Sequence, residues 1–336
     1  MHINYSKNRN ARFAPEMINQ RGYVANNPLV TVLMAVYNGE SHLGAAIQSI
    51  LDQTYTNFEF IIIDDASTDN SRILAESYND PRILILSNSH NMRLAGSLNR
   101  GIIDARGKYI ARMDADDISL PHRLEKQVAF MEGNPHIGVS GSWLECFGDK
   151  NQIWEYPSDP QILQCSMLFQ NQMGHPSIIM RRDLMIAKSL FYDADFLEAE
   201  DYDLWIRCSR HFSLANLAEV LLLYRWHEKQ ASQANLAKQL YYHTRICRSQ
   251  LERLGLHPSD EEMRLHMEIS LLYSEVLDFE LDTEFLTAAR LWLLKIMEAN
   301  LLYPVYSQTH LCVVLENRWR NICITSGINY VPLSAY

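Results

Sequence analysis

The stretch that decides the fold is VTVLMAVYNGESHLGAAIQSILDQTYTNFEFIIIDDASTDNS, residues 30–71. It contains a valine-rich apolar run at 29–36 and an isoleucine-rich run at 58–63. Short apolar runs of this kind are typical of strands that a sheet buries on both faces. Between them, residues 40–52 carry apolar side chains at helical spacing. The stretch therefore predicts a strand, a helix and a second, parallel strand.

The same alternation continues toward the C-terminus. Helices are predicted at 69–78 and 94–105, and strands at 82–86 and 109–113. This order is typical of an open, mostly parallel sheet with helices on both faces, an α/β fold. Beyond residue 137 the pattern is mixed. It predicts further strands, some of them antiparallel, at 137–143, 177–180 and 220–224. It also predicts a helix at 201–210.

The last hundred residues differ from the rest because their pattern is helical throughout. Helices are predicted at 236–254, 261–279 and 286–300. The predicted organisation is therefore a tail at 1–27, an α/β domain at 28–235 and a helical C-terminal region at 236–336.

Composition limits the function classes. The 336 residues carry a formal net charge of −10, which argues against a nucleic-acid partner. The six cysteines form no C-x-x-C pair, so reduced, buried thiols and a cytoplasmic compartment are expected. The first residues are polar and do not resemble a secretory signal, and no run reaches the roughly 20 apolar residues of a membrane span.

Polar clusters follow three of the predicted strands. They are residues 37–40, 64–65 and 114–117. In open parallel sheets the carboxyl ends of the strands meet at one edge, and ligands bind there. The sequence therefore predicts one binding site built from all three clusters.

The cluster Met113-Asp114-Ala115-Asp116-Asp117 concentrates three carboxylates behind a buried strand. A hard divalent ion with a bound diphosphate needs one or two carboxylates as ligands, so Asp114 and Asp116 are candidates. A solvated acidic loop is the alternative interpretation.

The pair Asp64-Asp65 ends the second strand, where a carboxylate can accept hydrogen bonds from a base or a ribose. Helix capping by Ser67 or Asp69 is the alternative use of this turn. Arg93 lies near a helix start, which the helix dipole does not favour for a cation. It is either a contact to a diphosphate or base, or a plain surface residue.

Together with RLAGSLNRGIIDARGKYIARMDADDISLPHRLEKQ at 93–127, the first stretch resembles glycosyltransferase family 2, whose fold is called GT-A. The resemblance covers roughly residues 29–235. It implies a nucleotide-sugar site and a metal at the D-x-D motif formed by Asp114 and Asp116. The residues that it assigns to the nucleotide sugar are Ala35, Val36, Tyr37, Glu40, Asp64, Asp65, Arg93, Asn99, Asp114, Ala115 and His175.

Three later motifs extend the resemblance. GHPSIIMRR at 174–182 resembles the family's segment near the donor sugar, although His175 could equally be structural. EAEDYDLWIR at 198–207 resembles the family's E-D motif, which implies Asp201 as general base, with Glu200 orienting it or binding an acceptor hydroxyl. YRWHEKQAS at 224–232 implies His227 as a third metal ligand or a diphosphate contact.

The resemblance implies an inverting transfer from a UDP-sugar to an acceptor hydroxyl, with Mg²⁺ or Mn²⁺ as cofactor and a β-linked product. Relatives of this size often build O-antigen, capsule or exopolysaccharide on lipid-linked acceptors at the inner membrane face. The C-terminal helices could then touch the membrane or a partner, or pack on the catalytic domain or a second subunit. Two rival functions are a sugar-phosphate nucleotidyltransferase and a non-catalytic nucleotide-sugar binding protein. The first would need a glycine-rich basic loop where this chain has AVYNGE.

Overall fold

The computed structural model describes residues 28–226, 236–272 and 281–333. The strands are Val30–Val36 (β1), Phe58–Asp64 (β2), Ile83–Ser87 (β3), Tyr109–Asp114 (β4), Ile118–Ser119 (β5), Ile137–Gly148 (β6), Gln152–Trp154 (β7), Ile179–Arg181 (β8) and Ser213–Trp226 (β9). The helices are Glu40–Leu51 (α1), Ser71–Ser77 (α2), Arg93–Asp104 (α3), Arg123–Gly133 (α4), Pro160–Ser166 (α5), Arg182–Ala187 (α6), Glu200–Cys208 (α7), Leu236–Arg253 (α8), Asp260–Ser270 (α9), Thr283–Leu302 (α10) and Gln308–Thr325 (α11).

The strands form one mixed sheet in the order β3-β2-β1-β4-β8-β6-β9-β5, and β7 extends it by pairing with β6. The first four strands in that order pair in parallel, and β8 runs antiparallel to both of its neighbours. The predicted α/β fold, a mixed sheet flanked by helices, is confirmed. The antiparallel β8 ends the parallel half of the sheet.

Both faces of β1, β2 and β4 are buried, as their continuous apolar runs predict, whereas β3 at the edge of the sheet is partly buried. Successive side chains alternate between two cores because the strand period is two. Val32 and Met34 pack into one core with α1 and α4, whereas Leu33 packs into the other, with α3, α5 and α7. Since both faces are apolar cores, the polar residues at the ends of these strands lie at the edge of the sheet.

The four C-terminal helices, α8–α11, share the core that contains Leu33 and α7. Among them, Trp292 of α10 and Trp319 of α11 are almost fully buried. Helix α11 is absent from the sequence predictions, which end at residue 300. The predicted domain boundary near 235 lies at the edge of the undescribed segment 227–235 and stays a prediction. None of the helices within the described ranges is long and apolar enough to cross a membrane.

Candidate active site

The ends of three parallel strands lie in register. Val36 pairs with Asp64 of β2, and Ala35 pairs with Asp114 of β4. Since neighbouring strands are about 4.8 Å apart, the two aspartates flank the end of β1 at a Cα separation of about 10 Å. Two of the three predicted polar clusters therefore meet at this edge, with Ala35 and Val36 between them.

Asp65 is buried and has a fixed orientation just beyond β2. Its Oδ1 accepts hydrogen bonds from Asn88 Nδ2 at 2.6 Å and from the Met92 backbone N–H at 2.8 Å. Asn88 Oδ1 in turn accepts from Arg100 Nη1 at 2.6 Å. Asn88 was not predicted as a site residue. It directly follows β3, so its position at the third strand end was the signal that could have revealed it.

The loop after β1 is tied to the loop after β2. Asn38 Oδ1 accepts from the Thr68 N–H at 2.8 Å, and Glu40 Oε2 accepts from the Asn70 N–H and Nδ2 at 2.8 and 2.9 Å. Tyr37, in contrast, is half exposed. The structure thus engages the Glu40 carboxylate in the neighbouring loop and leaves the Tyr37 ring at the open edge. A nucleotide contact for either residue stays a prediction.

Backbone strain concentrates around this edge. Among the described residues, five that are not glycine have positive φ, and four of them are Asn38, Ala66, Arg93 and Glu198. Asn38 and Ala66 lie in the loops after β1 and β2, Arg93 is the first residue of α3, and Glu198 lies two residues before α7. Such conformations cost roughly 1–3 kcal/mol each and cluster at functional sites. Arg93 is exposed, and its positive charge opposes the burial that raises the pKa of Glu198.

Three carboxylates converge after β4. Oxygens of Asp114, Asp116 and Asp117 lie within 4.8 Å of one another. Asp117 is fully buried: its Oδ1 accepts from the Arg225 N–H at 2.8 Å, while its Oδ2 has no hydrogen-bond partner. Burial, together with the charges of Asp114 and Asp116, holds the pKa of Asp117 well above its usual range. An unpartnered buried oxygen within a carboxylate cluster fits a hard divalent cation.

The same loop is held from the far strand. Arg225 of β9 donates its backbone N–H to Asp117 and its Nε to the Asp116 carbonyl at 2.8 Å. The guanidinium also lies over the Phe147 ring, 4.4 Å from its centroid. Arg225, in the described part of the motif at 224–232, therefore contacts the D-x-D loop. His227, the predicted third metal ligand, lies outside the described residues.

A buried arginine joins the carboxylate cluster to the E-D motif. Arg112 of β4, whose side chain is 3% exposed, forms a bidentate ion pair with Asp114, with Nη1 2.5 Å from Oδ2. Its positive charge also opposes the burial that raises the pKa values of Glu200 and Asp201. The charge of one guanidinium therefore acts on both acidic groups. Arg112 was not predicted as a site residue, although it stands two residues before Asp114 and therefore on the same strand face.

Glu200 and Asp201 begin α7, and both are partly buried. Burial raises the pKa of Asp201 to about 6, and burial with the Asp201 charge raises that of Glu200 to about 7. Asp201 Oδ1 accepts from the Tyr202 N–H at 2.7 Å and Oδ2 from Asn171 Nδ2 at 2.8 Å. A carboxylate with a pKa near neutrality and a fixed orientation is suited to take a proton from a hydroxyl.

His175 and Asn99 both contact Tyr192. His175 Nε2 lies 2.8 Å from the Tyr192 hydroxyl, and its ring centroid is 6.1 Å from that of Trp205. Burial and the Arg112 charge hold the pKa of His175 well below its usual range, so the ring is neutral. The Asn99 side chain donates to the Tyr192 carbonyl and accepts from its N–H, both at 2.8 Å. The Asn99 amide therefore holds this backbone. A nucleotide-sugar role for either residue stays a prediction.

Helix α4 holds the backbone beneath the site. Arg123, which is fully buried, donates through Nη2 to the carbonyls of Arg112 and Ile178 at 2.6 and 3.3 Å. Gln127 Nε2 donates to the Ser177 carbonyl at 2.6 Å. Burial and the nearby Arg112 charge lower the pKa of Arg123 to about 9. Both residues lie in the motif at 93–127, but no local pattern of the sequence indicates their function.

The mixed sheet, the in-register strand ends and the two acidic groups define a GT-A type glycosyltransferase. The model of the family described as glycosyl transferase family 2 matches residues 31–191. An uncharacterised glycosyltransferase of Haemophilus influenzae is 40% identical over 220 residues, which are 62% of this chain and 68% of that relative. The chain belongs to glycosyltransferase family 2.

One further sequence relative and two solved structures are similar to this chain. A β-1,3-glucosyltransferase of Escherichia coli, WfgD, described as using UDP-glucose and α-D-GlcNAc-diphosphoundecaprenol, is 30% identical over 63% of this chain and 82% of its own length. The structure of S. aureus TarS with UDP-GlcNAc aligns over 90% of this chain and 93% of that one, with a TM-score of 0.60 and 15% identity. The mannosyltransferase PcManGT of Pyrobaculum calidifontis, solved with GDP-Man and Mn²⁺, aligns over 89% and 87%, with a TM-score of 0.54 and 15% identity.

Proposed function

We propose that the protein transfers a sugar from a UDP-sugar to an acceptor hydroxyl with inversion, giving a β-linked product of bacterial surface-polysaccharide biosynthesis. The observation that carries this proposal is that the Arg112 charge acts on both acidic groups. Its guanidinium pairs with Asp114 of the carboxylate cluster and also acts on Glu200 and Asp201. One site can therefore hold a diphosphate on one side and a base on the other.

The reaction is a single displacement. The acceptor oxygen forms a bond to the anomeric carbon while the bond from that carbon to the diphosphate oxygen breaks, and the electron pair leaves with UDP. Asp201 Oδ2 or Oδ1 takes the hydroxyl proton, a contribution worth roughly 10²–10⁴-fold in rate. Glu200 is proposed as the supporting group: it lies next to Asp201 at the start of α7, and burial together with the Asp201 charge raises its pKa.

The carboxylates of Asp116 and Asp117, with Asp114 beside them, are the groups that would hold Mg²⁺ or Mn²⁺. The unpartnered Asp117 Oδ2 supports this assignment, and the Mn²⁺ complex of PcManGT is consistent with it. A bound divalent ion would offset charge on the diphosphate. Asp117 joins Asp114, Asp116 and His227 as a proposed ligand.

The nucleoside is proposed to lie over the end of β1, against Ala35, Val36 and Asp65. The Asp65 carboxylate is fixed there by Asn88, so its second oxygen can accept from a base or ribose without reordering the side chain. The TarS complex with UDP-GlcNAc and the donor of WfgD favour a uridine nucleotide.

The acceptor is proposed to be a sugar on a lipid diphosphate, as in the description of WfgD. Contact with a membrane surface is part of this proposal. Exposed apolar side chains at the end of α10 and after it would be the contacting groups: Leu301, Leu302 and Tyr303. The same side chains could instead join two copies of the chain, so vesicle sedimentation and oligomeric state should be measured together.

The test is a donor screen by calorimetry with UDP-glucose, UDP-galactose, UDP-GlcNAc, UDP-GalNAc and GDP-mannose, each with and without Mn²⁺. The selected donor is then incubated with α-GlcNAc-diphosphoundecaprenol, or with water alone, and the released nucleotide is identified. Free UDP and a β-linked product would support the proposal. An α-linked product, or pyrophosphate as the released group, would refute it.

A further inference from the structure

The segment 167–172, between α5 and the 3₁₀ turn at His175–Ser177, is mostly buried but has no regular secondary structure. Buried backbone carbonyls need hydrogen-bond donors, and here neither a helix nor a strand supplies them. The donors come from other parts of the chain. This segment also carries Asn171, the residue that donates to Asp201.

Three consecutive carbonyls of the segment are bonded by side chains of α7, α8 and α9. The Met167 carbonyl accepts from Tyr202 Oη at 2.5 Å and from Gln250 Nε2 at 2.8 Å. The Leu168 carbonyl accepts from His266 Nε2 at 3.1 Å. Helix α8 therefore holds one end of the run, and α9 holds its centre.

The third carbonyl, that of Phe169, accepts from His243 Nε2 at 2.9 Å, with Cys247 Sγ at 3.6 Å. The Phe169 ring is stacked on the His266 ring, with centroids 4.8 Å apart, and the Arg318 guanidinium of α11 lies 5.0 Å from the Phe169 centroid. Backbone and side chain of Phe169 are thus both held by the C-terminal helices.

The direction of the His266 hydrogen bond follows from its second neighbour. Trp292 Nε1 of α10 lies 3.1 Å from His266 Nδ1, and an indole nitrogen can only donate. Nδ1 is therefore the acceptor, so the proton is on Nε2 and points at the Leu168 carbonyl. Burial lowers the pKa of His266 to about 3, which keeps this tautomer neutral. The four helices described in the C-terminal region, α8–α11, thereby all contribute to one short segment.

We propose that the C-terminal helices position the catalytic base: by holding the carbonyls of 167–169 they fix Asn171, and Asn171 orients Asp201. This inference rests on the proposed role of Asp201. Asn171 is fixed from its own side as well, because its Oδ1 accepts from the Met173 N–H at 3.1 Å. His243 and Asn171 are positioning residues, since neither is assigned a contact to the reacting atoms.

The charged and titratable groups around Asp201 make the pH dependence of the rate a suitable measurement, because a purely structural role of Asn171 would leave it unchanged. They are Glu200 on α7, Arg112 on β4 and the hydroxyls of Tyr156 and Tyr192. Asn171 is a neutral donor to the ionised carboxylate, so its loss disfavours ionisation. The base must be ionised to act, so the acidic limb of the rate profile should move to higher pH.

The test measures UDP release, with the donor that the screen selects, for Asn171→Ala, His243→Leu and His243→Gln. Asn171→Ala and His243→Leu should lower kcat by about tenfold or more, with donor affinity unchanged and the acidic limb shifted upward. His243→Gln keeps an N–H donor and should restore kcat. His310→Leu is the matched control, because that imidazole contacts Ser307 instead of the segment.

The double variant Asn171→Ala with His243→Leu separates action through Asn171 from general damage. If His243 acts through Asn171, the second substitution adds little to the first; additive losses would overturn the proposal. So would unchanged kcat and pH profile in Asn171→Ala. The failure of the base assignment looks different, because Asp201→Asn would then retain turnover.

Discussion

Replacing Asp201 by asparagine should make the protein more stable and nearly inactive at the same time. Burial raises the pKa of this carboxyl from 3.8 to about 6, so the folded state disfavours its ionised form. Below pH 4 the group is neutral in both the folded and the unfolded chain. Between pH 4 and 6 the folded chain binds more protons, so its stability falls as pH rises. Above pH 6 the folded chain carries the full free-energy cost of ionising the buried Asp201 carboxyl.

A shift of about two pKa units corresponds to about 3 kcal/mol at 1.36 kcal/mol per unit. An asparagine can still accept from the Tyr202 N–H, so most of this free energy should be recovered. At pH 8 we expect a Tm rise of about 5 °C, and the gain should vanish below pH 4. Turnover should fall roughly 10²–10⁴-fold, with UDP-sugar binding retained.

Differential scanning calorimetry at pH 8 and at pH 4, with UDP release measured on the same samples, tests both halves. Asp195→Asn is the control, because it makes the same chemical change at an exposed position six residues away. Equal stability of Asp201→Asn and the wild type at pH 8 would refute the electrostatic argument. Wild-type turnover would remove Asp201 as the base.

Three further predictions concern the same site. Asp117→Asn should weaken binding of Mn²⁺–UDP about tenfold or more while UDP alone binds as before; calorimetry with equal affinity for both would contradict the ligand role. Arg112→Met should cost about 3–5 kcal/mol in urea unfolding, whereas Arg72→Ala, which breaks an exposed ion pair with 56% and 49% exposed side chains, should cost under about 1 kcal/mol. The kcat/KM for transfer should fall as pH drops through about 7 to 6, where Glu200 and Asp201 titrate as a pair, and a flat profile over pH 5–8 would count against them.

The parallel half of the sheet was predictable because its signals are local. Apolar runs and helical spacing placed the first four long strands, and the helices between them, within about two residues of their observed ends. Helix α11 was missed, although Gln308–Thr325 carries six buried residues. Its apolar pattern is interrupted by polar residues, and its burial depends on packing against α10 and α5.

The site was predictable to the extent that its residues stand at strand ends or in short motifs. Asp65, the D-x-D loop and the acidic start of α7 fall in this class. Arg112 and Asn171 do not. Arg112 lies within an apolar strand, and Asn171 lies in an irregular segment 30 residues before the carboxylate that it contacts. The spacing of two residues from Asp114 was the one local signal for Arg112, and no periodicity marks Asn171.

The order of residues alone determined the strand–helix alternation, the edge at which polar groups collect and the family. These follow from the steric periods of two and 3.6, which act over a few neighbouring residues. The tertiary structure decided which carboxyls the Arg112 charge acts on and which carboxyls are desolvated. It also decided which helices hold the segment 167–172, which carries the Asn171 side chain that donates to Asp201. Desolvation and contacts between distant segments are properties of the packed chain. The pKa values of Asp117, Glu200 and Asp201 are therefore raised only once the sheet and the C-terminal helices have packed together.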